Sequence, residues 1–524
     1  MKSWVLWWLL PATLAATDIV RTFAPNATAN FSHLAVDPLT GRVYLGGSNW
    51  LFQFGPDLGL EAAVKTGPVR DSVLCFPTDC SGQVLAPYNN VNKLLVLDPA
   101  ERKLIVCGSV HQGACRRHRL DNISHFEDLI PVPVAANDEN SSTFGFIGPA
   151  RYPGGGSPSR VLYVATTNSR LGPYRDMVPA ICSRSLEQGR LFTVVEHSFS
   201  SISRVDVSFH LRDYYLVHYI YGFHAGDFVY FASVQRKSHL RALEEWGYVT
   251  RLARVCTQDS GYNTYAEVTL QCLGAEVDYN LLQGAVLVPA AAELAADLRL
   301  EPGTPVLVGV FAASRDHTYR ASARSALCVF PLPEIEQKFT ENIHMCYNGS
   351  VLTRDMDYIA GSINQCPEPG KAGNVINFCN ETVKLNGSVP ISAFASAEFP
   401  NTTATGVAAS VIGHLHNLAV VATDRGEIRK LLLNRASEAE EFETVPVAPG
   451  EKILPDLYID SSQQYLIAAT QRTVYKVRLE GCHRYSDCDQ CLQAKNPYCG
   501  WCSLEKKSVA AYLSSPPFLL LPSL

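Results

Sequence analysis

The 524-residue chain has no excess of basic charge. It carries 44 Lys and Arg against 50 Asp and Glu, a net charge of -6. No lysine- or arginine-rich face stands out, which argues against nucleic acid as a partner. Motifs for catalysis are also missing. There is no His-Glu-x-x-His, no Gly-x-Ser-x-Gly and no phosphate-binding loop. The Gly-rich stretch 148–160 lacks the Lys-Ser/Thr that would face a nucleotide and reads as a loop. His210 near Asp213 and His317 near Asp316 are scattered pairs, read as solvated surface groups. No enzyme activity, cofactor or metal is expected. Past the N-terminus no apolar run is long enough to span a bilayer, and the closing "PPFLLLPSL" is short and broken by proline. No membrane insertion is expected. Helical periodicity is confined to Pro289–Leu298 and Leu332–His344, each with a proline near its start.

Three features point to the secretory pathway. Residues 1–16 open on a lysine, continue apolar and end in small residues, the pattern of a signal peptide. Asn-x-Ser/Thr occurs at Asn26, Asn30, Asn122, Asn140, Asn348, Asn380, Asn386 and Asn401, all candidate glycan sites. The 16 cysteines fall partly into local pairs such as Cys75/Cys80, Cys107/Cys115 and Cys346/Cys366, which in an oxidising compartment reads as disulfides. Eleven precede the terminal cluster, so one has no local mate, and Cys182 stands farthest from any other.

A strand pattern repeats along the chain. "HLAVDPLTGRVYLGGSNWLFQF" from His33, "KLLVLDPAERKLIVCGS" from Lys93 and "LPDLYIDSSQQYLIAATQRTVYKVRL" from Leu454 each place an apolar run, an Asp, a polar turn and further apolar runs. The Asp (Asp37, Asp98, Asp460) can bond the turn backbone. Repeated antiparallel units predict an all-β protein, and radial packing as a seven-bladed β-propeller protects their edges. Each blade would take about 65 residues, more than the usual propeller repeat, with the excess in loops. Two β-sandwiches are the rival arrangement.

"CDQCLQAKNPYCGWC" (Cys488–Cys502) holds two C-x-x-C pairs seven residues apart. Zinc, a redox pair or a disulfide knot can use such a motif. The short spacing and the oxidising compartment count against zinc. A redox motif needs a βαβ fold around it. The knot remains.

With its neighbours, "GCHRYSDCDQCLQAKNPYCGWC" resembles the plexin–semaphorin–integrin module that follows a sema propeller. "NNVNKLLVLDPAERKLIVCGSVHQGACRRHRL" and "RVCTQDSGYNTYAEVTLQC" resemble plexins, closest to the A or B class. The resemblance runs from about Phe23 to Lys507. It implies a sema propeller at 23–480, the cysteine module at 481–507 and a divergent tail at 508–524. It implies the bonds Cys75–Cys80, Cys107–Cys115, Cys256–Cys379, Cys272–Cys328, Cys346–Cys366 and Cys482–Cys499. The module's sixth cysteine should fall near residue 508, where Ser508 stands. Cys488, Cys491 and Cys502 are then left without partners, and the chain is expected to end in an incomplete, unstructured form. The implied function is a semaphorin receptor ectodomain, secreted here and able to act as a decoy, with a co-receptor or homodimer as further partners. A hepatocyte-growth-factor-receptor-type sema domain and a homophilic adhesion ectodomain are the alternatives. In the family the segment matching Glu196–Val207 lies toward the ligand, and His197, Phe199 and Arg204 are the candidate anchors within it. Arg116-x-x-Arg119 reads as a basic strand face, with proteolytic processing as its rival.

Overall fold

The structure, a computed structural model, describes residues 18–25, 29–151, 159–198, 201–351, 353–361, 363, 365–371 and 378–510. The expected leader at 1–16, Asn26 and Phe199 lie outside them.

The repeated strand units fold into seven blades of antiparallel strands, of which the fourth (His218–Ala225 to Ala266–Leu273) and fifth (Leu281–Pro289 to Leu385–Pro400) are joined in one sheet. Blade one is Phe31–Val36, Val43–Gly47, Trp50–Phe54 and Leu60–Lys65. Blade two is Asn92–Asp98, Lys103–Gly108 and Cys115–Arg119, and blade three is Thr143–Ala150, Ser159–Thr166, Ile181–Ser185 and Arg204–Val205. The inner strands of successive blades touch around a ring, and the last blade touches the first. The seven-bladed β-propeller is therefore the fold, not paired sandwiches. The Gly-rich stretch 148–160 is strand at both ends, through Ala150 and from Ser159, since the hairpin ladder runs further than its glycines suggest.

The predicted turn aspartates act locally. Asp37 accepts from Leu39 N at 3.1 Å and Thr40 Oγ1 at 2.6 Å, and Asp460 accepts from Gln464 N at 3.0 Å and Tyr465 N at 2.9 Å. These bonds engage turn backbone that would otherwise lack partners. The strands between them alternate or run wholly buried, as Val43–Gly47 does, because a second strand within a blade is covered on both faces.

Two long-range pairings close the ring. Ile19–Phe23 forms the outer strand of blade seven against Val474–Arg478, with Phe23 opposite Val474. Blades four and five share one strand. Leu385–Pro400 runs parallel to Ala266–Leu273 of blade four and then antiparallel to Ala321–Pro331 of blade five. The chain between, 332–384, is an insertion that opens on a helix, Leu332–Tyr347, three residues longer than expected. Leu332, Ile335, Phe339, Ile343 and Cys346 make its buried stripe at helical spacing. Asn342 donates to Val389 O at 2.9 Å and accepts from Val389 N at 2.9 Å, which pins the helix to the shared strand. The other expected helix is shorter, Ala292–Asp297.

The C-terminal module carries a one-turn helix, Cys488–Gln493, capped by Asp487 accepting from Gln490 N at 2.8 Å. It closes on a hairpin of Cys499–Cys502 with Lys507–Ala510. The expected boundary at 507 thus falls within a strand, and Ser508–Ala510 are ordered by ladder bonds to Cys499–Trp501. Tyr498 and Cys482 complete a core with Leu466, Val477 and Leu479 of blade seven.

Candidate partner interface at blades three and four

The outer strand of blade three places Arg204 opposite Cys182 and Val205 opposite Ile181. Alternation buries Val205 and Val207 and turns Arg204 outward, with its side chain 47% exposed. Just before it, Glu196–Ser198 pairs with Ser201–Ile202. Ser201 Oγ meets Ser260 Oγ at 2.7 Å and Ser203 Oγ donates to Ser260 O at 2.8 Å, so blade four holds this hairpin. His197 lies in the first of those strands, and its side chain, like Phe199, is outside the described residues.

Arg204 begins an alternating chain of charge. Its Nε lies 3.1 Å from Asp206 Oδ2, Arg212 lies 4.0 Å from the other Asp206 oxygen, and Arg212 also pairs with Asp176 at 2.7 Å. Burial pushes the Asp206 carboxyl up, and the two arginines hold it down in part. Beside them Arg175 pairs with Asp213 at 2.7 Å, which engages the carboxylate that stands near His210 in sequence. Phe209 is 73% exposed, with the Arg212 guanidinium 5.7 Å from its ring centre. A large exposed aromatic flanked by arginines is the composition of an interface anchor. Sequence reasoning passed over Phe209, Arg212, Arg175 and Asp176. The available signal was "FHLRDYY" just after the outer strand, whose apolar residues read as core by default.

The insertion supports this patch. Val207 bridges Ile359, Ser208 N donates to Tyr358 O at 2.8 Å, and Ala360 N donates to Asp206 O at 2.8 Å. Tyr358 and Tyr265 both donate to the buried Glu267 carboxylate, which also accepts from Gln235 at 3.2 Å. Burial and this carboxylate push both hydroxyls well above the usual tyrosine range. A satisfied polar cluster of this kind is rigid.

The structure joins Cys75–Cys80, Cys107–Cys115, Cys256–Cys379, Cys272–Cys328, Cys346–Cys366 and Cys482–Cys499. The 272–328 bond ties blade four to blade five, and the 256–379 bond ties blade four to the insertion. Cys182, Cys488, Cys491 and Cys502 are unbonded. Burial pushes the Cys182 thiol up. Cys491 Sγ lies 3.3 Å from Ser508 Oγ. Arg117 and Arg119 of the basic strand pair with Glu127 at 2.6 Å and Asp121 at 2.5 Å. Asn30, Asn140, Asn348 and Asn401 are exposed, and Asn122 is half-buried. The Asn386 amide is engaged, accepting from Arg251 at 2.6 Å and donating to Asp355 O at 3.3 Å. Asn380 ends a short 3-10 turn, and its side chain is outside the described residues.

A propeller with this insertion, followed by a small cysteine module, defines a class. The Sema domain family matches residues 282–460 and the Plexin repeat family matches 481–512, so the chain is a Sema domain followed by a plexin repeat. Its likeness to plexins extends beyond both matches. It is 32% identical over 505 residues to Plexin-A4 of Danio rerio, covering 91% of this chain and 26% of that protein. Among solved structures it is similar to the Plexin A4 full extracellular region, with a TM-score of 0.84 and 28% identity, covering 94% of this chain and 50% of that one. Drosophila Plexin A in complex with Semaphorin 1b shares the fold at a TM-score of 0.60 and 15% identity, covering 96% of this chain and 95% of that one. The chain spans about a quarter of the length of the curated relatives it matches. Among the described residues no helix is long and apolar enough to cross a membrane.

Proposed function

We propose that this chain is the ligand-recognition region of a semaphorin receptor, binding a semaphorin propeller through the outer edge of blades three and four. The observation that carries the reading is likeness to plexin extracellular regions along nearly the whole chain, propeller and plexin repeat together. A structural relative of the same fold is a plexin in complex with a semaphorin. Arg204 and the neighbouring Phe209–Arg212 pair supply the aromatic and guanidinium groups that dominate such contacts. Ion pairs to Asp206 and Asp176 hold the two arginines in place before the partner arrives, which lowers the ordering cost of binding. This region is not expected to catalyse a reaction. It acts in cell-guidance signalling by capture of an extracellular partner, and expressed by itself it competes with membrane receptors for semaphorin.

The test is binding of the secreted chain to a panel of semaphorin ectodomains. One saturable partner is expected. Phe209→Ala should weaken it about tenfold or more, as truncation of a central anchor does. Arg204→Glu should weaken it as well and change its salt dependence. Absence of binding across the panel from a monodisperse sample would reject the assignment. Binding indifferent to both substitutions would keep the receptor reading and reject this surface.

A further inference from the structure

A cavity of about 450 Å³ lies between blades one and two. Blade one lends it Trp50 of the third strand, Val64 and Lys65 of the fourth, and the turn that starts at Thr66. Blade two lends it Val106 of the second strand, and Arg116 and His118 of the third. Arg116 and His118 stand two apart on one strand, so both turn to the same face. Beyond that strand blade two continues only as single bridges, Cys115 to Ile130 and His118 to Phe126. The walls are largely apolar. Leu51, Val64 and Val106 belong to the hydrophobic cluster that joins the two blades, and Val69, Val110 and Leu129 extend it.

Most polar side chains of the lining are spent. Asn90 Nδ2 donates to Thr66 O at 3.0 Å, Asn92 Nδ2 donates to Leu94 O at 3.3 Å, and His118 Nδ1 lies 2.8 Å from Ile123 O. The side-chain oxygens of Asn90 and Asn92 and the Nδ1 of His111 are buried beyond the reach of a ligand. The charged groups left over are both cations. Lys65 is exposed and Arg116 half-buried, and neither has an ion-pair partner among the described residues. Arg116 rests against the Phe126 ring, 5.2 Å from its centre. No Asp or Glu lines the cavity. Asp71, which accepts from His111 N at 2.7 Å and Ser72 N at 2.8 Å, lies outside the lining. Glu127 is held by Lys103 and Arg117 at 2.8 and 2.6 Å. Of the basic strand Arg116–Arg119, then, Arg117 and Arg119 are ion-paired and Arg116 is left open.

Two unpaired cations on the walls of one low-dielectric cleft raise the potential of the space they share. One oxyanion placed there offsets both. The walls decide what the anion is attached to. A sulfated or phosphorylated sugar needs several acceptors for its hydroxyls, and the lining leaves only the Thr66 hydroxyl and the His111 ring for that purpose. An apolar body instead matches Leu51, Val64, Val106 and their neighbours. The volume falls within the range of small-ligand sites.

We propose that this cavity binds an amphipathic organic anion, with one carboxylate, sulfate or phosphate group held between Lys65 and Arg116 and an alkyl or ring body against the apolar walls. Binding bridges blade one to blade two and stabilises the ring by mass action. The site shares no residue with the outer edge of blade three.

The test titrates the intact secreted chain by calorimetry with octyl sulfate below its micelle concentration, and separately with octanol, inorganic sulfate and a sulfated disaccharide. Octyl sulfate should saturate one site at least about tenfold more tightly than any of the others. Lys65→Glu and Arg116→Glu should each weaken it by about tenfold or more. Arg102→Glu, an exposed cation of blade two outside the lining, should change it by less than about twofold, because salt screens distant charges. Unchanged melting temperatures are the folding control, and Lys65 is exposed, so its variant decides the matter even if the Arg116 variant misfolds. No saturable binding, equal affinity for octanol, sulfate or the disaccharide, indifference to Lys65→Glu, or an equal loss with Arg102→Glu would each overturn the proposal.

Discussion

Two of the chains of alternating charge among the described residues differ in what surrounds them. At the outer edge of blade three, Arg204, Asp206, Arg212 and Asp176 link in sequence, half-buried at Asp206 and Arg212 and open to water at Arg204. Where the propeller meets the plexin repeat, Lys430 is fully buried, pairs with Glu443 at 2.6 Å and donates to Arg478 O and Leu479 O at 3.0 and 2.9 Å. Arg484 of the repeat bridges Glu443 and the buried Asp18 beside the ring-closing strand. Burial pushes the Lys430 ammonium down and Glu443 opposes it. The same side-chain types therefore do different work. At its exposed end, Arg204, the first chain contributes little to stability and remains available to a partner. In the core each charge depends on its mate, and three segments far apart in sequence are locked at one point.

The sharpest way to break this comparison is to remove one charge from each chain. Glu443→Gln should cost about 3–5 kcal/mol, because it leaves the fully buried Lys430 without its carboxylate, while Arg484 keeps Asp18. Denaturant unfolding measures it, and a loss under 1 kcal/mol would show that water reaches the junction. A buried neutral group sharpens the contrast through pH. His118 is buried and its Nδ1 lies 2.8 Å from Ile123 O, and burial pulls its pKa down to about 4. Its folded pKa lies below the unfolded value near 6.5, so its contribution is complete above pH 6.5 and is lost as pH falls toward 4. That loss amounts to about 3 kcal/mol. Melting temperature against pH should fall less steeply in His118→Gln than in the parent chain over this window. The smallest effect belongs to the exposed chain: Arg204→Glu should change stability by no more than about 0.5 kcal/mol while changing partner affinity. A large loss of stability there would make Arg204 a structural residue.

Much of the architecture could be read along the chain because its causes are local. Asp37 and Asp460 sit at turns whose backbone they bond, and period-two runs beside them form strands. The stripe from Leu332 to Cys346 has helical spacing, and the helix is there. The candidate site was legible only in part. Arg204, within the named segment Glu196–Val207, stands exposed on an outer strand, yet Phe209 was invisible as an anchor. An apolar residue is core or interface according to what packs over it, and Phe209 has the Arg212 guanidinium beside its ring and remains mostly exposed.

Residue order alone determined the strand units, their turns and the long helix, because each depends on contacts a few residues apart. Resemblance of cysteine motifs supplied the pairing that the folded chain also shows. Tertiary structure decided the rest. Ile19 meets Val477 across more than four hundred residues to close the ring. Leu385–Pro400 pairs with one blade and then the next, changing from parallel to antiparallel within a single strand. Lys65 and Arg116 come to share a cavity only when blades one and two stand side by side. Such meetings depend on which surfaces remain uncovered once every local unit has formed, and that is a property of the packed ring.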